Sequence, residues 1–143
     1  MAEAIWVTTP NIDALNTLHE NTAVSSLAIE MVAVGDNFLS GRMPVDERTK
    51  QPYGLMHGGA AVLLLETLAS AAANHCVDTR AQMCVGVEVN CNHVRGVRSG
   101  SVLGKATALH IGRTSMVWGL EAHDEQGRLV TVGRLTASVV PAT

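Results

Sequence analysis

Glu66 is the only charged side chain in a nineteen-residue apolar run, Gly58 to Cys76, which opens directly behind the turn-forming segment Gln51-Pro52-Tyr53-Gly54-Leu55-Met56-His57-Gly58-Gly59. Keeping a carboxylate ionised among alanines and leucines is costly. Such a residue either performs acid–base or nucleophilic chemistry, or escapes by snorkelling to solvent or pairing with a distant arginine. A helix that begins at paired glycines also exposes backbone N–H groups with no intrahelical partner, and these carry the positive end of the helix dipole. A donor set for an oxygen anion and an isolated carboxylate therefore lie about two turns apart on one element.

Three further polar residues decide between those outcomes. Glu66, Ser70 and Asn74 fall at i, i+4 and i+8, with Thr67 adjacent, so they form one narrow seam on a helix otherwise made of Ala, Val and Leu. A solvated face would be wide and rich in Lys and Glu. The seam reads as a site.

The elements that position it follow from periodicity. Thr9-Pro10 reads as an N-cap with Pro at the first helical position, and Ile12, Leu15 and Leu18 then predict a short amphipathic helix over residues 10 to 21. Leu27, Ile29, Met31 and Ala33 alternate as a strand, and Gly35-Asp36-Asn37 turns into a second strand running from Phe38 toward Met43. A polar connection, Val45 to Lys50, feeds the turn and a long helix that ends near Cys76. Downstream the period is two: Met83, Val85, Val87, Val89 and Cys91; Val102, Gly104, Ala106 and Ala108; Thr114, Met116, Trp118 and Leu120; Leu129, Thr131, Gly133, Leu135 and Ala137. Asp124-Glu125-Gln126-Gly127 suits a hairpin loop between the last two. The expected class is α+β, an antiparallel sheet of about six strands wrapped around one central helix, with the sheet's other face left to find a cover.

Composition sets the bounds. The 143 residues suffice for one domain, spanning 1–143 without linker or repeat. A hydrophobic content of 47% with 16% charged residues exceeds what a small monomer needs for its interior, and the surplus points to oligomerisation. A net charge of −3 without clustered Lys or Arg lacks the footprint of a nucleic-acid binder. Cys76, Cys84 and Cys91 fit neither a zinc site nor a redox pair and read as reduced core thiols. His19, His57, His75, His93, His110 and His123 lack the helical i, i+4 pairing of a metal centre, so no metal is expected. The start, Met1-Ala2-Glu3-Ala4-Ile5-Trp6, has an acid where a secretory signal has a basic region, and the helix from Gly58 is too short and too polar for a membrane span, which sets the expectation of a cytoplasmic protein.

The order strand, strand, long helix, four strands, with Pro44-Val45-Asp46-Glu47-Arg48-Thr49-Lys50-Gln51 running into His57-Gly58-Gly59 and Glu66 seven residues later, resembles the hotdog-fold acyl-CoA thioesterases. Within them the chain is most similar to the branch of 4-hydroxybenzoyl-CoA, phenylacetate-pathway and 1,4-dihydroxy-2-naphthoyl-CoA thioesterases. The likeness covers nearly the whole chain, including Val85-Gly86-Val87-Glu88-Val89-Asn90 and Asn92-His93-Val94-Arg95. It implies a homotetramer, a dimer of dimers with active sites at the dimer interfaces, where Gln51, His57 and Gly58 come from one subunit and Glu66 and Ser70 from its neighbour. It also implies that pocket-lining positions near Ala71 vary with the acyl group.

The chemistry implied is hydrolysis of an acyl-CoA or acyl carrier protein thioester, with aryl acyl groups foremost, no cofactor, and coenzyme A as part of the substrate. Gly58 N–H would polarise the carbonyl, and only glycine lets the backbone come that close. Glu66 would attack the carbonyl or deprotonate a water. Gln51 would hold a water or the Glu66 carboxylate, His57 would brace the turn or the thioester oxygen, and Ser70 would bond an acyl group or water. Cations and backbone donors for the phosphates of coenzyme A are sought at His93, Arg95, His110, Gly112, Arg113 and Thr114. Two other functions compete: a hotdog dehydratase or hydratase using His57 as base, although the His-Phe-Pro-Gly pattern of that group is lacking, and a non-enzymatic acyl-CoA binder, which would gain by an apolar residue at Glu66.

Overall fold

The computed structural model of the chain describes residues 2–143; Met1, part of the N-terminal reading above, lies outside them. Its elements in order are α1 (Ile12–Leu18), α2 (Ala23–Ser26), β1 (Glu30–Val34), β2 (Phe38–Pro44), α3 (Gly58–His75), β3 (Gln82–His93), β4 (Ser101–Ile111), β5 (Ser115–His123) and β6 (Leu129–Pro141). The strands form one six-stranded sheet in the order β1-β2-β4-β5-β6-β3, with every neighbouring pair antiparallel. This is the hotdog architecture: α3 lies in the concave face of the sheet.

One stripe of α3 makes that packing possible. Leu64, Leu65, Leu68, Ala69, Ala72 and Ala73 are fully buried and meet Leu39, Met43, Val102, Ala106, Trp118 and Leu135 from the strands. The sheet answers with a missing side chain. A Cβ added at Gly104 would lie 2.9 Å from Leu64 Cδ2, so the glycine in β4 sets how closely helix and sheet approach. Cys76 and Cys84 belong to this core, and burial, with Cys84 nearby, pushes the Cys76 thiol up to about 12, which keeps it protonated and inert. Cys91 is only half-buried, contrary to its reading as a core thiol.

The N-terminal region departs from the periodic reading. The helix expected over residues 10 to 21 begins at Ile12, two residues past Pro10, because the Asn11 side chain accepts from Ala14 N–H and supplies the cap expected of Thr9. It stops at Leu18, and Asn21 at φ 58° turns the chain into α2, whose capping box pairs Thr22 with Ser25. Leu27 therefore caps a helix rather than opening a strand, and β1 begins only at Glu30. Together α1 and α2 form a cap over one side of α3.

In β3 the expected alternation breaks. The pairing with β6 shifts register between Gly86 and Glu88, a β-bulge that absorbs Val87, which is 58% exposed. Before the bulge Cys84 and Gly86 face the helix; beyond it His93 does, at the opposite parity. Loop closure elsewhere follows the sequence: Asp124 accepts from the Gln126 and Arg128 backbone N–H groups and from the Arg128 guanidinium, and Gly127 takes φ 78°.

Candidate active site

Two clefts along α3 gather most of the candidate residues. The first opens along the middle of the helix beneath the α1–α2 cap. It encloses about 500 Å³, and Glu66, Thr67, Ser70, Ala71, Asn74 and His75 supply its floor. Leu15, Leu18, Ala23 and Val24 of the cap supply an apolar roof. The seam read from the sequence is therefore a cleft wall. Glu66 is half-buried rather than sealed in the core, and it is the only acidic residue of the lining. Among the described residues its carboxylate has neither a hydrogen bond nor an ion pair, which leaves it free for a ligand. Strand β3 passes close by: a Cβ at Gly86 would lie 3.7 Å from Glu66 Oε1 and 3.9 Å from Ser70 Oγ. Burial first, and then the charges of Glu66 and Glu88, push the nearby Cys91 thiol up.

Not every member of the seam is available. The Asn74 side chain donates to the Ser70 and Cys84 carbonyls and accepts from the Cys84 N–H, so it fastens the start of β3 to the end of α3. Thr67 donates to the Leu63 carbonyl. Glu66 and Ser70 remain.

The second cleft lies at the start of α3, where Gln51, Met56, Gly58, His93, Arg95 and Thr131 enclose about 350 Å³. The loop that leads here is held along its whole length. Thr49, 1% exposed, donates to the Pro44 carbonyl, the Thr49 carbonyl accepts from His57 N–H, Gln51 N–H bonds the Leu55 carbonyl, and Met56 N–H bonds the Val97 carbonyl. Gln51 Oε1 accepts from the Tyr53 N–H, which fixes the amide and leaves its NH₂ free to donate. His57 caps the helix: its Nδ1 accepts from Gly59 N–H at 2.8 Å. Gly58 N–H has no acceptor among the described residues. His93 hangs over this point with Nε2 2.7 Å from where a Gly58 Cβ would stand, and its Nδ1 lies 3.0 Å from the hydroxyl of fully buried Thr131.

The remaining candidates separate. Ala71 joins Glu66 in the first cleft, and His93 and Arg95 join Gln51 and Gly58 in the second. Gly112, Arg113 and Thr114 make the β4–β5 turn, and His110 lines a different surface cleft beside Glu3 and Asp36, so the chain does not bring these four to either cleft. Sequence reasoning missed the cap residues Leu15, Leu18, Ala23 and Val24 as a pocket roof, and it missed the bond between Thr131 and His93. The inward row of β6 did contain Thr131 as its one polar member at a buried position, the signal that was there to be used.

The sequence and the fold match one class of protein. The thioesterase superfamily model matches residues 53–131, and the chain belongs to that family. A thioesterase of Pseudomonas aeruginosa, crystallised with one glutamine replaced by alanine, is 46% identical and superposes with a TM-score of 0.95 over 96% of this chain and 99% of that one. The 1,4-dihydroxy-2-naphthoyl-CoA hydrolase of Escherichia coli is 44% identical over 95% of this chain and 99% of its own. A Staphylococcus aureus thioesterase, 30% identical with a TM-score of 0.80 over 82% of this chain and 98% of that one, has been crystallised with a glutamine and with a glutamate replaced by alanine. Those two residues are fifteen positions apart, the separation of Gln51 and Glu66 here.

Proposed function

We propose that the chain hydrolyses aryl acyl-CoA thioesters to the free acid and coenzyme A, in a site assembled from two copies of the chain. The unpaired Glu66 carboxylate, the only acidic group of an apolar cleft, carries this reading. Glu66 attacks the thioester carbon, the C–S bond breaks and coenzyme A leaves as thiolate; water then cleaves the mixed anhydride and regenerates the carboxylate. Alternatively Glu66 takes the proton of the water that attacks directly. Either route needs one carboxylate and an oxyanion donor, since a thiolate departs without a strong acid.

Geometry supports the sharing. Gly58 and Glu66 are eight residues apart on one helix, roughly 12 Å along its axis. The carbon and oxygen of one carbonyl lie only about 1.2 Å apart, so the Gly58 N–H cannot polarise the carbonyl that Glu66 of the same chain attacks. A neighbouring copy supplies the complement, with its Gln51 and Gly58 facing this Glu66. The surface agrees: β3 is an unpaired edge strand, and Leu103, Leu109 and Val132 are exposed on the sheet's outer face. A tetramer uses both surfaces. The family, the similarity to the Escherichia coli hydrolase and the apolar roof support an aromatic acyl group. Arg95 at the rim of the second cleft suits a coenzyme A phosphate. No helix among the described residues is long and apolar enough to cross a membrane, and a cytoplasmic location, where coenzyme A thioesters are made, goes with this reading.

The hydratase alternative needs His57 as a base, whereas its Nδ1 is occupied in capping the helix. A panel of aryl, phenylacetyl and medium-chain thioesters, assayed for thiol release, tests the substrate class; no release from any of them rejects it. Mixing Glu66→Ala with Gln51→Ala protein after reversible dissociation tests the sharing. Recovered activity is expected because some interfaces then hold both intact residues. No recovery, with exchange verified by mass spectrometry, places the site within one chain.

A further inference from the structure

We propose that His93 Nε2–H is a second donor to the thioester oxygen, beside Gly58 N–H, and that Thr131 beneath it is the positioning residue that sets its tautomer. The proposal rests on the reading of the Gly58 end as an oxyanion site and gives His93 a role other than contact with coenzyme A phosphates. His93 and Thr131 are register partners across β3 and β6, and their side chains meet at 3.0 Å between Nδ1 and Oγ1. Thr131 is fully buried, and its hydroxyl makes no other hydrogen bond among the described residues.

Two arrangements of that bond are open, and burial separates them. If Nδ1 carried the proton and donated to Thr131, the hydroxyl hydrogen of this fully buried residue would be left without an acceptor among the described residues. If the hydroxyl donates to Nδ1, both of those atoms are satisfied, and the neutral ring must carry its proton on Nε2, which has no partner among the described residues. Nε2 is the ring atom nearest Gly58, 2.7 Å from the site of an added Cβ, and both residues open to the cleft shared with Gln51 and Arg95. Two N–H groups thus stand side by side at the mouth of one cleft, where an oxygen passing from carbonyl to tetrahedral oxyanion could accept from both. No bond to His93 forms or breaks: the proton stays on Nε2 while the oxygen gains charge and loses it again.

The test joins a spectroscopic readout to kinetics, using the intact assembly labelled with ¹⁵N-histidine. In the wild type, nitrogen shifts of His93 are expected to show a protonated Nε2 and a bare Nδ1 that accepts a hydrogen bond. Thr131→Val keeps the volume but removes the donor; the tautomers should then mix and kcat should fall about 30-fold with KM within about twofold. Thr131→Ser should restore both the shift pattern and the rate to within about threefold. A wild-type His93 protonated on Nδ1, or a folded Thr131→Val protein turning over at the wild-type rate, overturns the proposal. Should Thr131→Val fail to fold, the wild-type tautomer alone still decides. Failure of the hydrolase reading is separately visible, because an enzyme that cleaves no thioester has a measurable ring tautomer all the same.

Discussion

The two ends of the α3 chemistry are built on opposite principles. At the helix start the groups proposed to work are backbone and fixed side chains: Gly58 N–H, a Gln51 amide tied to its own loop, and His93 braced by Thr131. Eight residues on, the proposed working group is one free carboxylate under an apolar roof, with nothing among the described residues to hold it. The first region is rigid and intolerant of added atoms. The second depends on what a single side chain is and on how much room surrounds it.

Substitutions that act on one end alone turn this contrast into measurements. Glu66→Gln keeps size and shape but removes the nucleophile or base, and thiol release should fall by about 10³-fold while the circular dichroism and the oligomer stay unchanged. A residual rate above about a tenth of wild type would move the chemistry elsewhere. Gly58→Ala leaves Glu66 untouched but puts a methyl 2.7 Å from His93 Nε2, so the ring must move. A loss of about 10²-fold, mainly in kcat, is expected; an unimpaired Gly58→Ala enzyme would show that the ring over the glycine does not serve the oxygen. Ala71→Leu narrows the Glu66 cleft without reaching the helix start, and the ratio of kcat/KM for small over large acyl groups should rise about tenfold. An unchanged ratio would mean that the acyl group lies elsewhere.

The smallest expected effect is a control remote from both ends. Asp124→Ala opens the β5–β6 loop, so Tm should drop by about 5 °C with kcat unaltered. Burial pushes the Asp124 carboxyl up, but the Arg128 backbone N–H, the Arg128 guanidinium and the Gln126 N–H together hold it below the ordinary 3.8. A lowered folded value stabilises above the unfolded value and is lost as pH falls through the folded one. The Tm gap between wild type and variant should therefore be full above about pH 4 and close in stronger acid; a gap that is flat with pH would mean that the Asp124 side chain holds the loop without its charge.

What the sequence disclosed, and what it hid, follows the range of the forces involved. The long helix and the inward rows of β4 and β5 were legible because each rests on local periodicity. The seam of Glu66 and Ser70 was legible because four-residue spacing on a helix is a fixed geometry. Asn74 belongs to the same spacing yet is spent on the Cys84 backbone, a long-range bond that no local pattern announces. The strand order, with β3 beside β6 instead of β4, and the α1–α2 roof are likewise products of tertiary packing. The dispersal of His110, Gly112, Arg113 and Thr114 away from both clefts is another.

The extra residue in β3 also constrains how this chain can change. Because the strand has period two, the bulge at Val87 converts an even-numbered inward set into an odd-numbered one, and Gly86 and His93 share a face only through that offset. Deleting Val87 would remove the extra residue and the offset together, and the imidazole, one position earlier in the count, would keep Thr131 as its partner and stay on the face of Gly86. Straightening the strand with Val87 retained would instead turn everything from Glu88 to His93 by half a turn and send the imidazole to the outside of the sheet. Substitution at Val87 is nearly free, since its side chain is exposed, but forcing it into the ladder is not.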